Sequence, residues 1–171
     1  MTDDMPTEAR DALEAHDAFE AAEGSYRLTT TVFDTDVSAS ERDDYATDFR
    51  VRVEVPTLQS AAEDGEVGEA VQSGWLDTLE RRLEDAPMAT RASVDLDGFD
   101  VATAGGTVAV TYEFAFGDAA RGVAVAKTFV EYVEGTYVEG VVPGYDYGEP
   151  VTDLLSAAST DEDGERGGTP L

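Results

Sequence analysis

The chain has 171 residues, no cysteine, and 38 acidic against 11 basic side chains, for a formal charge of −27. Disulfides and thiolate chemistry are excluded, and nucleic-acid binding is disfavoured because phosphate contacts need a cationic surface. The length suits one domain burying roughly two-thirds of its unfolded surface.

Lys127 is the only lysine; the other basic residues are arginines. Acid excess with lysine scarcity fits a halophilic cytoplasm, since molar salt shrinks the screening length to about 3 Å and crowded carboxylates then repel little. An acidic mimic of nucleic acid would line its acids along one face, whereas these run through the whole chain. No stretch of about eighteen apolar residues is present, so no membrane span is expected. The acidic start MTDDMPTEAR lacks the apolar run of a signal peptide, which leaves a cytoplasmic protein as the expectation.

Residues 1–6 read as a loose tail. Thr7 can cap a helix to about Ala22, with Ala9, Ala12, Leu13, His16, Phe19 and Ala22 on one side and Gly24 closing it. Tyr26–Phe33 predicts a strand, and the polar run Asp34–Asp44 predicts a long hairpin loop. Tyr45–Val55 alternates, with Tyr45, Thr47, Phe49, Val51, Val53 and Val55 against Asp48, Arg50, Arg52 and Glu54, until Pro56 ends the ladder. Thr57–Gly65 is read as a linker with at most a short helical turn. Glu66–Asp85 carries Val67, Val71, Trp75, Leu76, Leu79 and Leu83 at helical spacing, and Ala86-Pro87 stops it.

Arg91–Leu96 alternates weakly, and 97–106 reads as a turn region around Phe99 and Val101. Val108, Val110, Tyr112, Phe114 and Phe116 then share one face of the strongest strand in the chain. Asp118 can cap a helix that ends near Gly135 or Gly140, with Val123, Ala126, Val130 and Val133 inward. A strand over 123–133 is the competing reading, because valines also favour strands. Pro143-Gly144 makes a turn, and 150–158 predicts a short helix with Val151, Leu154 and Leu155 inward. Residues 159–171 are charged and glycine-rich, hence expected to be disordered.

The expected fold is an α+β two-layer sandwich. An antiparallel sheet of about four strands carries helices on one face, in the order α-β-β-α-β-β-α-α. It spans one domain over 7–158, with a possible α-β-β repeat of 7–56 and 66–117 followed by helices over 118–140 and 150–158.

Two regions are candidate sites. On the wet sheet face Arg27, Arg50, Arg52 and Arg91 gather with Glu54, Asp95, Thr111 and Glu113. Guanidinium forks match carboxylate or phosphate, while cross-strand ion pairs such as Arg52 with Glu113 are the structural alternative. In the second region, GTYVEGVVPGYDYGEP over 135–150, Tyr137, Tyr145 and Tyr147 line a partner edge or pocket, or seal the end of the sheet.

The GTYVEG, VPGYDY and EPV runs, with Val-Pro-Thr after the second strand, resemble an uncharacterised haloarchaeal family of small acidic proteins over most of 7–158. That resemblance implies no activity. His16, the only histidine, sits on an apolar helix side with no nucleophile signature beside it. The carboxylate pairs Asp34/Asp36 and Asp95/Asp97 begin no EF-hand loop, and Gly105-Gly106 lacks the Lys-Ser/Thr of a phosphate loop. No catalytic residue, metal or cofactor is therefore assigned. The expected function is a non-catalytic interaction or adaptor module, monomer or homodimer, with a protein partner. The alternative is an anion or small-molecule binding domain using the sheet-face arginines.

Overall fold

The structure, a computed structural model, describes residues 5–42 and 46–158. Residues 1–4 of the tail expected at 1–6, the tail expected at 159–171, and the inward position of Tyr45 lie outside the described residues, whereas Met5 is buried in the core and Pro6 directly precedes the first helix.

The alternating segments form the centre of the sheet. β4 (Thr47–Pro56) and β7 (Thr107–Phe116) pair antiparallel along their full lengths, from Thr47 opposite Phe116 to Pro56 opposite Thr107. β3 (Asp34–Glu41) pairs with the other side of β4, and β6 (Leu96–Ala104) with the other side of β7. The short hairpin of β1 (Phe19–Ala22) and β2 (Ser25–Leu28) extends the sheet beyond β3. The strand order is β1-β2-β3-β4-β7-β6. Both edges are short or acidic: β1 has four residues, and β6 carries Asp97 and Asp100 with an irregular register between Leu96 and Gly98. Such features discourage edge-to-edge pairing.

One sheet face is dry. Phe49, Val51, Val53 and Val55 of β4 and Val108, Val110, Tyr112 and Phe114 of β7 are almost completely buried. Over them lies α4 (Ala119–Gly140), which packs against β4, against α1 (Thr7–Ala15) and against α3 (Glu69–Leu83). The Asp118 side chain accepts the Arg121 backbone N–H at 3.0 Å and starts α4 as expected. Val123, Ala126, Val130 and Val133 point into the core, so 119–140 is helical and the strand reading fails. At Gly122 the helix backbone closes on the Phe49 ring: an added Cβ would stand 2.3 Å from it.

α2 (Leu58–Ala61) is capped by Thr57, whose hydroxyl accepts the Ser60 N–H at 3.1 Å. A two-stranded sheet of β5 (Ala62–Asp64) and β8 (Asp146–Tyr147) follows it in space. Residues 151–158 form α5, with Val151 buried and Leu154 and Leu155 packed on the core.

The α+β architecture with helices on one face is present, but the expected count of about four strands is corrected to six, and the first half gains one strand before and one after the expected first strand. Three local misreadings account for this. The first helix stops at Ala15, where His16 turns extended (φ −89°, ψ 120°). Phe19–Ala22, though alanine-rich, is held as a strand by pairing with β2, tertiary context overriding helix propensity. Gly24, at φ +76°, closes that hairpin rather than a helix. The run from Asp34 is a strand, not a loop, because Thr35, Val37 and Ala39 alternate inward against β4. Residues 96–104 are likewise a strand. The bulge near Gly98 puts Leu96 and Phe99 three apart on one face, which hides the two-residue period. Over 7–56 there is one helix with four strands; over 66–117 there are α3, a 3-10 turn (Ala86–Ala89) and two long strands.

Candidate functional site

The outer face of β3, β4, β7 and β6 is not covered by any described helix, and its residues follow from the register. Arg50 lies between Ser38 and Glu113, Arg52 between Asp36 and Thr111, and Glu54 between Asp34 and Ala109. Beyond β7 the rows continue into Gly98, Asp100 and Ala102. The expected gathering of Arg50, Arg52, Glu54, Thr111 and Glu113 is thus found on one surface. Arg27 shares that face further out on β2, where it pairs with Glu20 at 3.3 Å. Arg91 and Asp95 do not join: they sit on an irregular exposed segment before β6.

The ion pairs differ from the one expected. Register puts Glu113 beside Arg50, and their contact is 3.8 Å with the Arg50 side chain 61 % exposed. Arg52 instead reaches along its own strand to Glu54, at 2.6 Å. Arg42, after β3, bonds Asp48 at 3.4 Å and Asp97 at 3.2 Å, tying β4 to β6. Exposed pairs of this kind contribute up to about 1 kcal/mol each. Carboxylates outnumber guanidinium groups on the face, so it is polar and of mixed charge. At the Ser40 end the surface dips into an open cleft of about 640 Å³, where Arg42 and Arg50 meet Asp48, Asp97 and Glu113.

Asp34, Asp36, Ser38 and Asp100 belong to this face although the sequence pattern predicts loop and turn over their strands. The weak signal available was the alternation of Thr35, Val37 and Ala39.

The tyrosines divide. Tyr137 is not on the turn but fully buried in α4; its hydroxyl donates to the Pro56 carbonyl at 3.0 Å and its ring meets Phe33 and Trp75 edge-on. Tyr145 and Tyr147 lie on the turn with ring centroids 6.3 Å apart, and the Tyr147 hydroxyl donates to the Val142 carbonyl. Packing thus engages Tyr137 and Tyr147.

Burial pushes the phenols of Tyr112 and Tyr137 well above their ordinary value near 10. Both groups stay neutral in the fold while the unfolded chain ionises. Their contribution to stability is therefore complete below pH 10 and is lost as pH rises beyond it. Urea midpoints measured from pH 8 to 12 should be level to about pH 10 and then fall, by about 1.4 kcal/mol per unit for each tyrosine. Tyr112→Phe should make that fall shallower.

His16 is half-buried at the end of α1, its Nδ1 accepting the Ala18 N–H at 3.2 Å and its ring against Phe19. Among the described residues no group of three or more His, Cys, Asp or Glu could hold a metal ion. Asp34 and Asp36 share the outer face of β3, and Gly105 and Gly106 form the tight β6–β7 turn at positive φ.

Fold and face together define an α+β sandwich whose sheet is clothed on one side and open on the other. Residues 14–157 match the family of unknown function DUF5813, and the chain belongs to that family. No curated protein and no solved structure matches it. No helix among the described residues is long and apolar enough to cross a membrane.

Proposed function

We propose that this chain is a non-catalytic interaction module of a halophilic cytoplasm, docking a protein partner on the outer face of β3, β4, β7 and β6. The observation that carries the reading is the one-sided sheet. Four strands of eight to ten residues, all open on the same side, give a patch of roughly 500–600 Å², about two-thirds of one partner's share of an ordinary interface. Small side chains (Ser38, Ser40, Ala109, Thr111, Ala115) surround the arginines, so a partner surface can approach closely. Arginine is a frequent centre of binding energy. Arg50 is the more available of the two, since Glu113 holds it at 3.8 Å whereas Arg52 is bonded to Glu54. A partner carboxylate would bind Arg50 in a two-pronged contact. The anion-binding alternative is weaker, because Arg27, Arg50 and Arg52 each already face a carboxylate. The charge of −27 supports molar salt as the working medium.

The test is affinity capture from host extract in molar KCl with wild type, with Arg50→Glu/Arg52→Glu, and with Asp77→Arg on α3 as control. A partner retained by wild type and the control, and reduced at least about tenfold by the double variant, is the expected result. No partner with wild type, or an unchanged set with the double variant, refutes the reading.

A further inference from the structure

We propose that the pocket between α3 and the C-terminal end of α4 binds a small, mostly apolar molecule carrying one hydrogen-bond acceptor. The pocket has a volume of about 230 Å³ and a predominantly apolar lining. A cavity of about 150 Å³ already admits a benzene ring, so this one accepts a six-membered ring with a substituent.

Three observations converge on it. First, Trp75 and Leu79 of α3 form part of its wall, and the Trp75 indole Nε1 is the one buried side-chain polar atom without a hydrogen-bond partner among the described residues. Leaving a buried donor unmade costs about 1–3 kcal/mol; an acceptor delivered by a bound molecule removes that cost. The indole stands perpendicular to the Tyr137 ring at 5.8 Å and its Nε1 is closed off from solvent, so a ligand acceptor reaches it through a side-chain adjustment of the kind common on binding.

Second, the space is made by two glycines, Gly74 inside α3 and Gly140 at the end of α4. An added Cβ at either would meet nothing within 4 Å, so packing does not demand glycine there. Glycine inside a helix costs about 1 kcal/mol relative to alanine, and at Gly74 what it leaves in return is the opening. Gly122, by contrast, is required by the Phe49 ring.

Third, polar groups are few and placed at different depths. Thr136, itself 4 % exposed, lines the wall with Thr78, and the lining Arg82 is paired with Glu139 and part-exposed. An apolar pocket with a few such polar groups is the usual form of a small-molecule site. It lies in the helix layer, on the opposite side of the sheet from the proposed docking face, so its test is independent of that reading.

Trp75 is the only tryptophan, so the ¹⁵N-labelled protein shows a single indole N–H resonance that reports on this pocket. The probes are cyclohexanone and, below its solubility limit, cyclohexane. Cyclohexanone should move that resonance downfield and saturably, and at about ten times its Kd should raise Tm by roughly 3 °C. Cyclohexane should bind at least about tenfold more weakly. Gly74→Leu should abolish the cyclohexanone response while circular dichroism shows an intact fold; Gly140→Leu serves if that variant does not fold. No saturable shift in wild type, an unchanged affinity in a folded leucine variant, or equal affinity for cyclohexane overturns the proposal.

Discussion

Phe129→Ala should lower stability by about 3–5 kcal/mol and Tm by roughly 10 °C. Phe129 is 0 % exposed at the middle of α4, and its ring meets Tyr112 at 5.0 Å and Phe114 at 5.2 Å on the central strand β7. Phe114 in turn stacks on Phe49 at 5.3 Å. Truncation therefore removes contacts with the rings that join helix layer to sheet, and the cavity lies beneath a helix that cannot collapse without losing its seat on β4. Denaturant unfolding in molar KCl checks this; a loss below about 1 kcal/mol would mean that α4 does not pack on β7 as described.

Gly122→Ala should destabilise by about 1–3 kcal/mol, although alanine is the better helix former by about 1 kcal/mol. The new methyl would stand 2.3 Å from Phe49 Cε2 and 2.6 Å from Cζ. Phe49 has no room to yield: it is 1 % exposed and its ring lies 16° from parallel with Phe114. Either helix or ring must shift. The same substitution at Gly74, where no atom lies within 4 Å, should leave stability unchanged or raise it. Thermal melts of the two variants check the contrast; equal effects would remove the close approach of α4 to β4.

What the amino-acid order revealed about the fold depended on whether a segment is covered on one side by strong hydrophobes. β4 and β7 alternate aromatic and β-branched residues with polar ones, and their faces were read correctly residue by residue. Asp118 and the valine spacing favour α4, although valines alone also suit a strand over 123–133. β3 escaped because its inward residues are Thr35, Val37 and Ala39: β4 supplies the bulk, so a strand needs little hydrophobicity of its own there. β6 escaped because a bulge shifts its period between Leu96 and Phe99. The end of α1 was invisible since Phe19–Ala22 has helix-compatible composition and becomes a strand only through pairing. For the same reasons the arginine face was legible in part. Arg50, Arg52, Glu54 and Glu113 came from the correctly read strands, while Asp36, Ser38 and Asp100 came from misread ones. Tyr137 is near Tyr145 and Tyr147 in the chain, yet its helix turns it into the core.

Under the proposed docking, the outer sheet face is open in the free chain and covered in the cell. The native chain has no cysteine, so single cysteines report locally without interference. Ser38→Cys and Thr111→Cys on the face, with Asp77→Cys on α3 as reference, should all react readily with a maleimide in dilute buffer at molar KCl. In host extract at the same salt, labelling at 38 and 111 should slow strongly while labelling at 77 does not. Equal rates at all three positions in extract, or protection of 38 and 111 already in dilute buffer, would contradict the account.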